Sequence, residues 1–473
     1  MGKRPINRPP ARPAAPQISA MPVPPPKEEL GRGPGNVVVQ DIATDHQPLT
    51  GRKLVRVIPG HQTDVERLLR TGVALRVHPG DPGAVAAASN PEGAGALPVG
   101  EALFFETLGI LTINPDPEQS TRLAALVLDD NPLDGEEWER YVFVGADPAY
   151  LRGYRAGVDT LIEHLLTDGD AGSLVPMVPG SNAAGLGPFL DNNRTTWGLK
   201  ATRADATRFT GKDIAVAVLD TGIDLKHLDF SGRVVAQASF VPGAPTVQDG
   251  HGHGTHCAGV VAGPASPVTR PRYGVATDAR LYVGKVLGDN GIGTDTSILG
   301  GITWALDQKC AVISMSLGAK VLANQPRSAT FEQVGRRALD AGCVIFAAAG
   351  NDSERPGKII RVSHPANCRT FFAVAALDAN LRVAPFSNAG LEIDGGQVDI
   401  AAPGVQVLSA VPGGYARMDG TSMATPHVAG IAALVAEADP KLRGHSLMSR
   451  LSQIALRISE RSVDVGVGLA QSP

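Results

Sequence analysis

Aromatic residues are scarce in this chain, at 4% of 473 residues, while glycine alone contributes 55. Strong charge of either sign is missing too. Lys and Arg number 43 against 47 Asp and Glu, a formal net charge of −4. That balance gives no footing for nucleic acid or an anionic membrane surface. No apolar run is long enough to span a bilayer. Cysteine is limited to Cys257, Cys310, Cys343 and Cys368. Their spacing fits no metal site and their neighbours are apolar, so buried free thiols are expected, as in a reducing compartment. The N-terminus carries Lys3, Arg4 and Arg8, but no apolar stretch follows them. Pro9, Pro10, Pro13, Pro16 and Pro22 interrupt it. No secretory signal is read there, and a cytoplasmic setting is expected. Export by a non-standard route, or a misassigned start, is the alternative.

The length suggests two or three domains. Residues 1–50 are rich in Pro, Gly and charge and read as a solvated, disordered tail, with a proline-rich ligand for an SH3-like partner as the rarer reading. From 51 to 166 the texture changes. Strands are expected at Lys53–Ile58, Ala74–Val77, Leu108–Ile113 and Trp138–Val144. Helices are expected at Thr63–Leu69, capped by Thr63, and at Glu118–Leu128, with Gly80–Gly95 as a loop. Two strand–helix–strand units suggest a small α+β sandwich of ferredoxin-like type. A further helix is expected from Asp147 to Leu166, and 167–196 reads as an exposed linker. From Trp197 to the end, continuous apolar strands (Ile214–Leu219, Leu281–Val286, Ala311–Met315, Val344–Ala348, Phe371–Ala376) alternate with helical runs. The helices are expected at His256–Ala262, Thr296–Gln308, Thr330–Ala341 and Thr425–Ala438. This is the pattern of a doubly wound, mostly parallel α/β sheet, whose ligands lie at the carboxyl ends of the strands.

Four segments carry chemistry. Gly420-Thr421-Ser422-Met423-Ala424-Thr425-Pro426-His427 sets a serine ahead of an apolar helix, with Pro426 expected in its first turn. A helix N-terminus offers free N–H groups to an oxyanion, although a serine there also serves as a plain N-cap. Asp220 ends a strand before a Thr-Gly turn, placed to orient a histidine; Asp224 and Asp229 compete for that role. Asp249-Gly250-His251-Gly252-His253-Gly254-Thr255-His256-Cys257 offers three histidines, suited to a general base or, with Asp249 and Cys257, to a metal. The spacing does not choose among them. Asn351 follows a buried strand and can donate to an oxyanion, or simply shape a turn.

Taken in the order Asp, His, Asn, Ser, these segments resemble the subtilisin-like serine peptidases, most closely the proteinase K-like branch. The resemblance runs from about Trp197 to near the C-terminus. It extends through Tyr273-Gly274-Val275-Ala276, Ser314-Met315-Ser316-Leu317-Gly318 and Asp399-Ile400-Ala401-Ala402-Pro403-Gly404. It implies a triad of Asp220, His253 and Ser422, with Asn351 in the oxyanion site. It implies that Gly291-Ile292-Gly293 and Ser316-Leu317-Gly318 flank a protein or peptide substrate. Ala348, Ala349 and Gly350 would help wall the primary pocket. No cofactor is implied for the chemistry. A structural calcium is, at Asp399 with carbonyls near Arg369 and Phe371; Asp229 matches an aspartate of a second family site. The N-terminal module resembles an inhibitory propeptide in strand–helix order, but a helix and a long linker follow Val144. A permanent regulatory domain is the alternative for that module. A catalytically silent peptide-binding scaffold is the alternative for the whole chain.

Overall fold

Strand β1 (Leu49–Val57) is the first described element, and within its buried run, Arg52 to Val55, Leu54 and Val55 enter different apolar clusters. The computed structural model describes residues 48–473, apart from 59, 90–96, 129–131, 145–187, 270, 323–324 and 392–395. The expected tail, the helix Asp147–Leu166 and most of the linker therefore lie outside the described residues. After β1 come α1 (Gln62–Leu68), β2 (Arg76–Pro79), α2 (Pro82–Ala88) and β3 (Glu101–Phe105). Then come β4 (Ile110–Asn114), α3 (Pro117–Leu128) and β5 (Leu133–Val144). The strand order is β5-β1-β4-β3-β2, antiparallel except for β2 and β3. Val55, Val57, Leu111 and Ile113 share a core with Val65, Leu69 and Leu123 from the helical segments.

Two elements correct the sequence reading of this module. The stretch read as a loop holds α2, which starts as its chemistry allows. Asp81 caps it by accepting the Ala84 N–H at 2.9 Å, and Pro82 occupies the first helical position. Strand β3 was also not anticipated. His61, not Thr63, stands at the cap position of α1, with no side-chain cap bond.

The second layer system begins with α4 (Trp197–Ala201), β6 (Ala215–Asp220), β7 (Val234–Ser239), α5 (His253–Ala262) and β8 (Arg280–Lys285). It continues with β9 (Ile292–Thr294), α6 (Asp295–Asp307), β10 (Val312–Met315), β11 (Leu317–Gly318), α7 (Ala329–Asp340) and β12 (Val344–Ala348). The last elements described here are β13 (Phe372–Leu377), β14 (Ile400–Pro403), the hairpin β15 (Val407–Val411) and β16 (Gly414–Met418), α8 (Thr421–Ala438) and α9 (Gly444–Ile454). Seven strands form a parallel sheet in the order β14-β13-β12-β10-β6-β8-β7. Strands covered by helices on both faces must be apolar throughout, and all six residues of β6 are buried. The order reverses between β6 and β10, which opens a crevice at their carboxyl ends.

The module docks on that crevice. Leu54, Val85, Phe105, Leu108 and Ile110 enter one continuous core with Ile298, Leu299, Phe331 and Val334. Beyond the module's own sheet, the end of β5 pairs antiparallel with β9 on one side and β11 on the other.

Candidate active site

Asp220 sits at the carboxyl end of β6 and is 1% exposed. The turn after it needs Gly222, whose φ is +110° and whose missing Cβ would meet the Val247 carbonyl at 2.2 Å. Asp220 Oδ1 accepts its neighbour's N–H, from Thr221, at 2.7 Å and stands 2.8 Å from His253 Nδ1. His253 begins α5 and is itself buried. Burial alone would lower the imidazole pKa, but the Asp220 charge and hydrogen bond, together with Cys257, outweigh it, and the pKa lies well above the ordinary histidine value.

The other candidates in this segment are occupied elsewhere. His256 Nε2 bonds the Val407 carbonyl at 2.9 Å, and burial holds its pKa down at about 3. Burial and the nearby His253 likewise lower His251. Asp249 accepts the backbone N–H of His251, Gly252 and Thr255 and the hydroxyls of Thr221 and Thr255. It organises the loop. Asp224 takes Gln248 and backbone N–H groups, and neither it nor Asp229 bonds His253. The three histidines therefore do not converge on a metal. Among the described residues, the one trio with metal-sharing spacing is Asp220, His253 and Cys257, whose ligand atoms lie within 4.8 Å of one another.

Ser422 is the second residue of α8, not ahead of the helix as the sequence suggested, and is 2% exposed. Its Oγ lies 3.4 Å from the Ser316 carbonyl. Cys257 bridges the two halves of the site, with Sγ 3.8 Å from His253 Nδ1 and 3.5 Å from the Ser422 carbonyl. Pro426 falls in the helix interior and not in its first turn. It has no N–H for the carbonyl four residues back, which is that of Ser422. The Ser316 hydroxyl donates there instead, at 2.7 Å, with the Cys257 thiol beside it. All four cysteines are free and buried.

Asn351 follows β12. Its Oδ1 accepts the Thr421 N–H at 2.8 Å and the Thr421 hydroxyl at 2.9 Å, which sets its Nδ2 beside Gly420. Thr421 Oγ1 in turn accepts the Gly350 N–H at 3.1 Å, tying Ala348, Ala349 and Gly350 to the serine helix. Gly291, Ile292 and Gly293 lie along one edge of the cleft, and Ser316, Leu317 and Gly318 along the other. Between them β5 pairs Val142 with Gly293, Phe143 with Ile292 and with Gly318, and Val144 with Leu317. The Val144 N–H donates to the Gly291 carbonyl at 2.9 Å. A peptide main chain is thus already seated across these strands.

The two calcium candidates differ. Asp229 accepts hydroxyls from Tyr273 at 2.6 Å and Tyr415 at 2.9 Å, plus the Val268 N–H at 2.9 Å. Those donors already engage both carboxylate oxygens. Asp399 is half-buried and accepts the Ala373 N–H at 2.7 Å; desolvation pushes its pKa up to about 7. A carboxylate with so little donor support fits a hard cation completed by backbone carbonyls.

The subtilase family matches residues 211–468. Subtilisin Savinase of Lederbergia lenta is 40% identical over 280 residues, spanning 58% of this chain and 96% of that protein. Subtilisin DY of Bacillus licheniformis is 40% identical over 272 residues, 57% of this chain and 93% of its own. M-protease of Shouchella clausii (strain KSM-K16) is 40% identical over 280 residues, 58% of this chain and 68% of its own. These matches carry the family and not the proteinase K-like branch. With more than half its length in that family and an aspartate–histidine pair beside a helix-borne serine, the chain belongs to the subtilases and is a serine endopeptidase.

Proposed function

We propose that Ser422 attacks the peptide carbonyl, that His253 takes its proton and later protonates the leaving amine, and that Asp220 holds the imidazole and stabilises imidazolium. The observation that carries this reading is the 2.8 Å Asp220–His253 contact, with Cys257 touching both His253 Nδ1 and the Ser422 carbonyl. Asn351 Nδ2 and the Ser422 N–H serve the oxyanion, which the placement beside Gly420 supports. Substrate lies where β5 now lies, and recognition is mainly by main-chain pairing. The module then acts as an inhibitor by holding that place. Asp399 would hold a structural calcium with the carbonyls of Arg369 and Phe371; it supplies rigidity and takes no part in bond breaking. We assign a reducing, cytoplasmic setting, which four buried free thiols support.

The test is mass spectrometry of the full-length chain with and without a fluorophosphonate probe, beside Ser422→Ala. An adduct on Ser422 in the wild type alone supports an activated serine. Loss of the module in the wild type, but not in Ser422→Ala, makes it a self-removed propeptide. No adduct even after the linker is nicked by a trace protease overturns the catalytic reading in favour of a silent peptide-binding scaffold.

A further inference from the structure

Four residues before Val144, the cleft strand meets a charge that the triad does not use. Asp295 begins α6 beside β9 and is fully buried. Its Oδ2 accepts the Arg140 backbone N–H at 3.0 Å and lies 3.4 Å from the Arg140 guanidinium. Its Oδ1 faces His364 Nε2 at 3.2 Å. His364 is fixed in turn. Its backbone pairs with Ala319, next to β11, and its ring stands edge-on to Phe331 at 4.6 Å. Both cleft walls therefore build this pocket.

Asp295 and His364 come from the enzyme; Arg140 and Glu137, which lies 3.3 Å from Arg140, come from the module. Burial and the Arg140 charge hold the His364 pKa below its ordinary value. Burial opposes the Asp295 charge, but His364 and Arg140 more than offset it, and its pKa stays below the usual carboxylate range. The enzyme side of the pocket is thus a fully buried carboxylate with the buried His364 imidazole behind it. Removing the cation from such a site leaves an uncompensated buried charge.

We propose that Asp295, positioned by His364, is a specificity residue that selects a basic side chain in the substrate, four positions before the residue taking the place of Val144. The proposal rests on the reading that substrates follow the path of β5. Proline is excluded at that position, because its missing N–H would leave the bond to Asp295 unmade.

Two measurements test this, and one needs no catalysis. Full-length Ser422→Ala carries Arg140, Arg140→Lys, Arg140→Met or Arg140→Glu, and amide hydrogen exchange is followed at Tyr141–Val144. Lys should protect nearly as well as Arg, and Met should exchange about tenfold faster, the size of one lost charge-assisted hydrogen bond. Glu should exchange faster still. Added Asp295→Asn should shrink the difference between Arg and Met. If Asp295→Asn fails to fold, the series at position 140 stands alone. Exchange independent of the charge at 140 overturns the proposal. The second measurement gives the active full-length protein synthetic peptides copying residues 136–152, with arginine or citrulline at 140, and casein as control. A preference of about tenfold in kcat/KM for arginine supports the pocket. Equal turnover of both peptides with casein degraded overturns the pocket and leaves the peptidase reading intact. No turnover of any substrate, even after the linker is nicked by a trace protease, counts against the peptidase reading, and the exchange series still decides the pocket.

Discussion

On the proposed mechanism, His253 sets the pH at which the site works. Its raised pKa keeps the imidazole protonated above the ordinary range near 6.5, so the base form arrives at higher pH. The acid limb of kcat/KM should therefore lie above that value, which a pH–rate profile on a peptide substrate reads directly. Asp220→Asn should lower kcat about 10⁴-fold and move that limb downward, since both tautomer control and the raising charge are lost. Asn351→Ala should slow turnover about 10²–10³-fold with little change in KM. At this scale the sequence was legible where a motif carries its own chemistry, as around Ser422 and Asp220. Spacing alone was silent on which of three histidines faces Asp220, because that depends on where α5 starts, and it was the family resemblance that pointed to His253. The helix begins at His253 rather than at His256, and a Gly-rich turn hides such a start from periodicity. The Arg140–Asp295 contact was equally hidden, since 155 positions separate the partners.

Among the elements, long apolar strands were read within a residue or two, because burial on both faces leaves an unbroken signature. Strand β3 and helix α2 escaped for the opposite reason. Neither is periodic on its own, and α2 is held by packing against α6, where a Cβ on Gly300 would come within 2.7 Å of Val85. The serine helix shows a local conflict resolved from outside. Pro426 removes one rung, and Ser316 replaces it from β10's end. Ser316→Ala should cost about 1 kcal/mol, a fall of roughly 2–4 °C in Tm by calorimetry. Restoring a backbone donor with Pro426→Ala should make that loss smaller.

Across the molecule, the module is attached by acids aimed at helix starts. Glu139 Oε1 accepts the Thr296 N–H of α6, and Glu137 Oε1 the Thr330 N–H of α7, each at 2.9 Å. Burial works against the Glu137 charge, but Ser328, Arg140 and the Thr330 N–H outweigh it and depress its pKa. A depressed carboxyl stabilises docking above its free pKa near 4.3, and that help is lost as pH falls through the docked value. Acid titration of amide hydrogen exchange at Tyr141–Val144 should show the module loosening only below that range. Glu139→Ala also strands Arg52, its buried partner, and should speed labelling at neutral pH. The sequence showed two textures, 51–166 and 197–473, but not that they close over one core. On the proposed inhibitory reading, that shared core gives activation a direction. Once the module leaves, Leu108, Ile110 and Phe105 face water on a small sheet that has lost its cover, a surface prone to self-association and to attack by the enzyme it had blocked. Re-docking must then compete with its destruction. Each molecule would behave as a single-use fuse, spent on opening and not reset by restoring the starting conditions.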